Sequence, residues 1–577
     1  MTDLVTSKPV HKQTVVSSDR GLVTANQHLA AEAGATILGQ GGNAVDAAVA
    51  TAFAVGVVEP GASGIGGRGY LVVHVPATGD SVVFDGHERA PIAARPDMFE
   101  IEDDRGRPTS GWGPQVPVKG DANAVGHLAV AVPGVVAALY EAHRRYGRLP
   151  WAQVLAPGIA LAEDGFEVSV PFALGIARNR AKLARFPATA ALFLADGQPP
   201  LPGSRLRMPD LARSYRSIAE EGPGALYRGA LARAIVEEMG RGGGILCATD
   251  LTRFQPRTWD APLRGTYRDY EILTVPEATG GITLLQVLNL LEGFDLASLD
   301  PQGAASLHLL LESLNVAFVD RLAVLDDPAF IPVPFDGLAS KAFAAERRTL
   351  ISAERSLGDV EPGDAWPYEP SGAPSPGVLP GRVAGGATDR DTTQICAVDA
   401  DRMVVSLTQS VIDPYGSGVV VPGTGILLNS AMHNFTPVPG QPGAIAPWKR
   451  SVHNGVPTIV LGRDGAPVLA VGGAGGTKII TGVVQVLVNV LDHGMTVQEA
   501  IDAPRVHHEG NLSEVDARLG GPVVEQLRRL GHRPAVVTSE YGRPAFSRIN
   551  GIQVAADGRA ASGVDPFADA GAAAPRA

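Results

Sequence analysis

The chain has 577 residues and carries 60 acidic against 48 basic side chains, a formal net charge of −12. This balance argues against nucleic-acid binding, because phosphates need a basic surface. No apolar run approaches the roughly 20 uncharged residues of a membrane span. Residues 1–9 (MTDLVTSKP) lack the apolar core of a signal peptide, so we expect a cytoplasmic protein. The two cysteines, Cys247 and Cys396, form neither a disulfide framework nor a metal-binding pattern.

The N-terminal part of the chain predicts two helices, a glycine-rich loop and a strand. Apolar residues at helical spacing predict a helix over 26–38, and Asn43 is a suitable N-cap for a second helix over 44–57. The loop 59–69 (EPGASGIGGRG) follows, and 70–75 has the composition of a strand. A dinucleotide fingerprint follows a strand and opens a helix, so the opposite order here excludes that site.

Three later segments are interpreted as scaffold. The strongly apolar helix predicted over 307–321 contains His308, which we expect to be a core residue and not a ligand. His507 and His508 are adjacent on a predicted strand and therefore face opposite sides, so we expect no zinc site there. The Ala-rich tail 568–577 is expected to be disordered.

Thr392 begins a predicted strand directly after the segment 361–390, which is rich in Pro, Gly, Asp and Ala and is predicted to be a loop. If the chain were cut before Thr392, this residue would become a new N-terminus. A free N-terminal Thr is nucleophile and base in one residue, because its hydroxyl attacks while its own α-amine, with a pKa of about 8, accepts the proton. Such chemistry needs no separate His or Asp.

Thr392 also opens the first strand of a predicted β-hairpin. Residues 392–399 and 403–410 favour strands and flank a polar turn. With that turn, the numbers of paired residues sum to about 801–802, which places Gln409 or Ser410 opposite Thr392. A side-chain hydroxyl there could reach Thr392. The alternative is an ordinary hairpin in which Thr is simply a strand former.

A second glycine-rich segment, 472–477 (GGAGGT), precedes an apolar run over 479–491 that predicts a helix, with Gly494 as its stop. A glycine-rich turn at a helix N-terminus exposes backbone N–H groups beside the positive end of the helix dipole. These donors suit a phosphate, a carboxylate or a developing oxyanion. A tight strand-to-helix turn without a ligand is the alternative.

Taken together, these segments resemble the γ-glutamyltransferase (γ-glutamyltranspeptidase) family of N-terminal-nucleophile hydrolases, from about residue 15 to about residue 508. The matching motifs occur in the family order. They are 41–48 (GGNAVDAA) with 64–67 (GIGG), 131–134 (AVPG), 280–283 (GGIT), 392–393 (TT), 406–409 (SLTQ), 416–429 (GSGVVVPGTGILLN) and 475–476 (GG).

The resemblance implies an α/β fold, a four-layer αββα sandwich, and a precursor that cuts itself between Asp391 and Thr392. The products would be a large chain 1–391 and a small catalytic chain 392–577 that stay associated as one structural unit. Thr392 would be the nucleophile, Thr393 would orient its α-amine, and Ser410 would contact it across the hairpin. Backbone N–H groups near Gly475 and Gly476 would stabilise the oxyanion. No cofactor and no metal is implied.

The substrate contacts differ from the family pattern. The Arg expected to clamp the substrate carboxylate is His87, which cannot form the bidentate fork of a guanidinium, although Arg89 lies two residues further on. The carboxylate expected to hold the substrate ammonium is Asn434, and a Ser-Ser pair is His453-Asn454. A family Asn corresponds to Ile412, and a His after the threonines corresponds to Gln394.

These differences remove both charged partners of an amino-acid head group. We therefore expect an amidohydrolase for a small carboxylate-bearing amide with a non-glutamyl acyl group, as in relatives that look like amidases for oxamate or cephalosporin side chains. One alternative is a true γ-glutamyltransferase or glutathione hydrolase with substitute contacts. Another is an inactive relative that only binds a metabolite. A higher oligomer is possible in each case.

Overall fold

The computed structural model describes residues 14–102, 116–370, 391–510 and 512–576. In these ranges, two seven-stranded antiparallel sheets form the centre of the molecule. The first sheet has the spatial order β1 (Ser17–Ser18), β20 (Ala560–Val564), β19 (Arg548–Val554), β15 (Pro467–Ala474), β14 (Thr458–Leu461), β9 (Tyr270–Thr274) and β8 (Leu263–Tyr267).

The second sheet contains the predicted catalytic hairpin at its centre. Its order is β21 (Gly571–Ala573), β2 (Gly21–Ala25), β10 (Asp391–Asp399), β11 (Val404–Ile412), β3 (Arg68–Val75), β4 (Asp80–Gly86) and β7 (Arg257–Trp259). Smaller sheets join β5 (Phe166–Glu167) with β6 (Arg205–Leu206), β12 (Val420–Val421) with β13 (Ile426–Leu427), and β16 (Val506–Glu509) with β17 (Leu512–Asp516) and β18 (Pro534–Val537).

Helices cover the outer face of each sheet. They are α1 (His28–Gly39), α2 (Ala44–Val58), α3 (Val135–Tyr146), α4 (Trp151–Asp164), α5 (Val170–Leu183), α6 (Pro187–Phe193), α7 (Pro209–Glu221), α8 (Gly224–Tyr227), α9 (Ala230–Gly242), α10 (Ala248–Arg253), α11 (Gly280–Leu291), α12 (Ala304–Val324), α13 (Phe335–Ala339), α14 (Lys341–Arg348), α15 (Lys478–Leu491), α16 (Val497–Asp502) and α17 (Gly520–Arg529).

Three apolar cores hold these layers together. One core lies between the sheets and joins Leu22 and Val398 of the second sheet to Ile459 of the first. A second core packs α1, α2, α3 and α4 on the second sheet, and a third packs α11, α12 and α15 on the first. Sheets packed face to face with helices outside bury both faces of every central strand. This arrangement is the predicted αββα sandwich.

Several predicted elements are confirmed within about two residues at their ends. Helix α2 begins with a capping box, in which the Asn43 side chain accepts from the Asp46 N–H and the Asp46 carboxylate accepts from the Asn43 N–H, both at 3.0 Å. The hairpin is confirmed as β10 and β11. His308 is a hydrogen-bonded core residue, as expected, because its Nδ1 lies 2.7 Å from His532 Nε2 and its Nε2 lies 2.7 Å from the Ser352 carbonyl.

One prediction is wrong. The tail expected to be disordered contains β21, which pairs through its backbone with β2, Val23 opposite Ala573. Small side chains suit this edge, because main-chain hydrogen bonds need no side-chain bulk. Most of the predicted loop 361–390, from residue 371 onward, and the N-terminal segment 1–9 lie outside the described residues.

His507 and His508 occupy neighbouring positions of β16 and are both buried. They face opposite Glu514 and Ser513 of β17, so they point to different sides of the strand, as predicted. No helix in the described ranges combines the length and hydropathy that a membrane crossing needs. A cytoplasmic location stays a prediction.

Candidate active site

Thr392 lies at the start of β10, where the pairing with β11 is irregular. Asp391 pairs with Ile412 and Thr393 pairs with Gln409, so β11 contains one extra residue across this interval. Such a bulge re-aims the side chains beside it. It brings Ser410, one of the two residues predicted to oppose Thr392, onto the nucleophile side of the hairpin.

The Thr392 hydroxyl lies directly against the peptide carbonyl that precedes it. Thr392 Oγ1 is 2.7 Å from the Asp391 carbonyl oxygen and 3.2 Å from Ser410 Oγ. Ser410 Oγ is itself 2.8 Å from the same carbonyl oxygen and accepts from the Ile412 N–H at 2.8 Å. Two hydroxyls therefore converge on the Asp391–Thr392 peptide bond, and the Thr392 side chain is buried.

A guanidinium and two carboxylates surround the other side of this bond. Arg548, at the start of β19 in the opposite sheet, donates to Glu59 Oε1 at 2.6 Å and to the Thr392 carbonyl at 2.8 Å. It also pairs with the Asp391 carboxylate. Thr393 donates its hydroxyl to the second oxygen of Glu59. The cluster fixes both residues that flank Thr392.

The charges of this cluster are coupled. Burial raises the pKa of Glu59 to about 7, Arg548 opposes that shift, and Asp391 adds to it. Burial alone would lower the pKa of Arg548, but the carboxylates of Asp391 and Glu59 together raise it above its usual value. Arg548 therefore stays charged, while Glu59 changes its protonation near neutral pH.

The second glycine-rich segment forms a turn between β15 and α15, as the sequence predicts. Gly475 and Gly476 have φ angles of +128° and +63°, a conformation that favours glycine. Thr477 precedes the helix and donates its hydroxyl to the Glu509 carboxylate at 2.6 Å. This hydrogen bond anchors the turn to β16. Backbone N–H groups at such a turn can stabilise a tetrahedral oxyanion.

A small cavity of about 30 Å³ opens beside Thr392. Its lining includes Gly476 of the turn and three predicted substrate-binding residues, Asn434, His453 and Asn454. Asn454 accepts from Arg321 at 3.1 Å and is therefore held from behind.

Tyr70 and His453, which both line the small cavity, carry polar atoms without a hydrogen-bond partner in the described part of the chain. Their rings stack with centroids 3.9 Å apart. His453 Nδ1 accepts from the Gly455 N–H at 2.7 Å, and burial lowers the pKa of the ring well below its usual value, so the proton resides on Nε2. Among the described residues, neither His453 Nε2 nor the Tyr70 hydroxyl has a hydrogen-bond partner, although both are buried. A ligand acceptor would satisfy them.

Ile412 forms part of the wall of the small cavity in a strained conformation. Its φ is +86°, which is unusual for a β-branched residue and costs about 1–3 kcal/mol. The side chain is buried and packs with an apolar cluster that includes Met432 and Phe435. This strained conformation places an apolar side chain in the wall of the cavity that Thr392 also lines.

A second, larger cavity of about 450 Å³ opens beside Asp391. Asp391, Glu59 and Arg548 line it, together with Gly475 of the turn. Thr392 thus lies between a small cavity with neutral donors and a large cavity with charged groups.

The sequence model of the gamma-glutamyltranspeptidase family matches residues 30–575. The chain belongs to this family. It is 40% identical over 518 residues to the acylase ACY 1 proenzyme of Pseudomonas sp. strain V22, covering 90% of this chain and 88% of that protein. It is 35% identical over 528 residues to the glutathione hydrolase proenzyme of Bacillus subtilis strain 168, covering 91% and 86%.

Among solved structures, the fold is similar to that of a cephalosporin acylase from Bacillus halodurans, with a TM-score of 0.85, 30% identity and complete coverage of both chains. These matches confirm the resemblance, the fold class and the prediction of an N-terminal-nucleophile amidohydrolase or acyltransferase. Members with different acyl substrates share the family, so the acyl group must be argued from the residues of the site.

Two predicted contacts of this γ-glutamyltranspeptidase-family site lie outside the lining of the small cavity. His87 is buried behind Tyr70 and His453, with ring centroids 5.4 and 5.1 Å away, and its Nε2 lies 3.6 Å from Glu88. Arg89 donates to the Trp448 carbonyl at 3.1 Å and packs over that indole ring. His87 therefore supports the wall of the cavity, and Arg89 takes no place in the lining.

Arg68 supplies the one guanidinium in the described lining of the small cavity and is bound to the buried Glu88 carboxylate at 2.8 Å. Burial would raise the pKa of Glu88, but Arg68 and His87 lower it, so the pair stays ionised and neutral overall.

The sequence did not reveal Glu59, Arg548, Arg68 or Tyr70 as site residues. Glu59 follows a helix that is buried along its whole length. A carboxylate at such a position was the one local sign of a functional residue. The others sit at ordinary strand positions. Arg548 and Glu59 are 489 residues apart, so only the fold brings them together.

Within the described ranges, one group of side chains has the composition of a metal site: His308, Glu312 and His532. Its ligand atoms are already engaged. Glu312 accepts from Ser356 Oγ at 2.7 Å and from the Leu357 N–H at 3.0 Å, and His308 is bonded at both nitrogens. These contacts make it a structural network that connects α12 to neighbouring loops.

Proposed function

We propose that the protein is a self-processing amidohydrolase that cuts its own Asp391–Thr392 bond and then uses Thr392 as an N-terminal nucleophile. The observation that carries the first step is the convergence of the Thr392 and Ser410 hydroxyls on the Asp391 carbonyl. The proenzyme names of two relatives agree with processing. The products are the chains 1–391 and 392–577, which remain associated through the shared sandwich.

Self-cleavage begins with an N→O acyl shift at Thr392. Thr392 Oγ1 attacks the carbonyl carbon of Asp391, the C–N bond breaks, and the Thr392 nitrogen takes up the proton that the hydroxyl loses and becomes a free α-amine. Water then hydrolyses the ester between Asp391 and the Thr392 side chain. This step leaves a carboxylate on Asp391 and restores the Thr392 hydroxyl beside a new α-amine. Ser410 relays or orients the proton from its position between the two oxygens.

Substrate turnover repeats this chemistry with an external amide. The Thr392 hydroxyl attacks the amide carbonyl, its α-amine accepts the proton and passes it to the leaving amine, and water resolves the acyl-enzyme. Gly475 and Gly476 supply backbone N–H groups to the oxyanion. Thr393, itself held by Glu59, orients the α-amine.

We further propose that the acyl group carries a terminal carboxylate and no ammonium group. The Tyr70 hydroxyl and His453 Nε2 have no hydrogen-bond partner among the residues that the structure describes and suit a ligand that accepts hydrogen bonds. A carboxylate accepts up to four hydrogen bonds. Asn434 provides no formal charge for an ammonium group, and Ile412 adds an apolar wall. Glutaryl and oxalyl groups have this chemistry, whereas the γ-glutamyl group adds the ammonium that the site does not neutralise.

A matched pair of chromogenic anilides tests the acyl group. Glutaryl-4-nitroanilide and γ-glutamyl-4-nitroanilide differ only in the ammonium group. We expect kcat/KM to favour the glutaryl compound by about tenfold or more, because burying an unpaired ammonium costs free energy. A preference for the γ-glutamyl compound would identify a true γ-glutamyl hydrolase or transferase instead. Ammonia release from oxamate tests the shorter acyl group.

The Thr392→Ala variant tests the enzyme against the inactive-relative alternative. Denaturing electrophoresis of the wild type should show two fragments, and the variant should show one intact chain without amidase activity. A wild-type chain that stays intact after long incubation would favour a binding protein.

A further inference from the structure

Arg548 binds two carboxylates in the uncut chain, and one of them belongs to Asp391, the residue before the proposed cut. Its Nη1 pairs with Glu59, and its Nη2 pairs with Asp391. Glu59 is fixed in the fold at the end of α2, whereas Asp391 becomes the end of a chain when the Asp391–Thr392 bond is cut. Both side chains of the Arg548–Asp391 pair are mostly buried, with 15% and 30% exposure.

We infer that departure of Asp391 converts its place on Arg548 into a carboxylate-binding subsite for the amine side of the substrate. The ligand would be a leaving or acceptor amine that carries its own carboxylate, such as an amino acid or an aminobenzoate. This inference rests on the proposed function, because it requires self-cleavage at Thr392.

The position of the large cavity supports this assignment. Thr392 lines the small cavity, whereas Asp391 and Arg548 line the large one, and the adjacent glycines of the turn contribute one residue to each. An amide bond attacked by Thr392 with its acyl group in the small cavity therefore directs its amine into the large cavity. The volume of about 450 Å³ is in the usual range for small-ligand sites.

The charge of the large cavity also changes in the required direction. Its described lining carries three carboxylates and three guanidinium groups, namely Glu59, Asp391, Asp569, Arg178, Arg543 and Arg548. Loss of Asp391 leaves two carboxylates and three guanidinium groups, an excess of one positive charge. Arg548 Nη1 donates to Glu59, and Nη2 donates to both Asp391 and the Thr392 carbonyl. The Nη2 N–H that Asp391 occupies is therefore the charged donor left for another carboxylate.

Binding of two isosteric amines to two forms of the full protein tests the inference without turnover. The probes are 3-aminobenzoate and its neutral analogue 3-aminobenzamide, titrated by calorimetry into the matured wild type and into uncut Thr392→Ala. We expect the matured protein to bind the carboxylate at least about tenfold more tightly than the amide. The uncut variant should show no such preference, because Asp391 still occupies Arg548.

Equal binding of both probes to the matured protein would overturn the inference, since it would mean that the Asp391 chain end stays on Arg548 or that the cavity ignores charge. The preference should fall in Arg548→Lys, which keeps the charge and loses the planar fork, and should persist in Arg463→Gln, which removes an exposed charge elsewhere. If Arg548→Lys does not mature, the comparison of wild type with Thr392→Ala still decides the question.

Substrates give an independent readout. N-glutaryl-3-aminobenzoate should have a KM about tenfold lower than N-glutaryl-3-aminobenzamide, with similar kcat, because the carboxylate contributes to binding and not to the acyl-transfer step. A carboxylate preference in binding without any amide turnover would reject the proposed acyl chemistry and leave the subsite intact. Turnover of both substrates with identical KM values would support the acyl chemistry and reject the subsite.

Discussion

The two cavities beside Thr392 differ in the chemistry that they offer. The small cavity presents neutral donors from Tyr70 and His453, and its one guanidinium is already paired with Glu88. The large cavity is built around Arg548 and two carboxylates, one of which belongs to the bond that is cut. Selection of the acyl group thus rests on donor geometry, whereas the amine side depends on net charge.

This difference explains how one site can serve two reactions. In the uncut chain the charged cluster holds the scissile bond, and the small cavity is not needed. After cleavage the cluster faces the substrate amine, and the small cavity selects the acyl group. The following variants separate these roles.

The largest effect is expected for Ser410→Ala on self-cleavage. Ser410 Oγ touches both the attacking hydroxyl and the scissile carbonyl, and positioned proton-transfer groups contribute about 10²–10⁴-fold. Self-cleavage should slow by about a thousandfold, measured as the loss of intact chain over time. Ser406→Ala on the same strand, whose hydroxyl bonds the Val471 carbonyl, is the control and should cleave normally. Cleavage of Ser410→Ala at the wild-type rate would refute a role for this hydroxyl.

Gly475→Ala should damage turnover next most strongly. Gly475 has φ +128°, which an Ala adopts only with strain, and an added Cβ would lie 3.2 Å from the Ser547 Cα. The turn must therefore move, and its N–H groups are misplaced. Because loss of one oxyanion donor costs about 10²–10³ in kcat, we expect a fall of about a hundredfold with little change in KM.

Gly465→Ala provides the matched control, since Gly465 also has positive φ, at +77°, but no neighbouring atom within 4 Å. It carries a positive-φ backbone cost of its own and leaves the turn at Gly475 undisturbed. If both variants lose kcat equally, the effect belongs to stability and not to the oxyanion site.

Tyr70→Phe should raise KM for glutaryl-4-nitroanilide by about tenfold and change kcat little. It removes one donor from the small cavity and keeps the ring that stacks on His453. Tyr215→Phe is the control. It removes a buried hydroxyl that donates to the Phe53 carbonyl at 3.0 Å and does not line the small cavity, so it should leave KM unchanged. An unchanged KM in Tyr70→Phe would exclude this hydroxyl from acyl recognition.

The smallest effect concerns Glu59 in the uncut Thr392→Ala background. Its pKa of about 7 in the folded chain exceeds the ordinary value of 4.5, so the folded state binds the extra proton between these values. Stability should therefore fall as pH rises from about 4.5 to about 7, by about 1–3 kcal/mol in total. Adding Glu59→Gln should flatten this dependence in denaturant titrations, whereas Glu163→Gln at an exposed carboxylate should not. A slope that survives Glu59→Gln would assign the proton to another group.

The parts of the site that follow from local sequence were predicted well. The hairpin register placed Ser410 near Thr392 because strand alternation and turn length constrain it, and the glycine turn was visible in its composition. Arg548 and Glu59 were not found this way, since they are distant in sequence and Arg548 sits at an ordinary strand position. The carboxylate of Glu59 directly after a fully buried helix was the one local sign. The edge strand Gly571–Ala573 was missed because backbone pairing leaves no trace in Ala and Gly residues.

The predicted substrate contacts were placed correctly only in part. Asn434, His453 and Asn454 line the small cavity, whereas His87 and Arg89 do not. Four of these residues were inferred from family positions, and Arg89 was named as a substitute for the Arg that His87 replaces. A strand position fixes which face a residue occupies but not how deep its side chain lies. Tyr70 lies in front of His87 and takes the place beside Thr392.

The most direct test is the chain end of the purified protein. Intact-mass measurement and N-terminal sequencing of the matured wild type should find a fragment of residues 392–577 that begins Thr392-Thr393-Gln394, together with its large partner chain. A single uncut chain, or a fragment that begins at any other residue, would contradict the account.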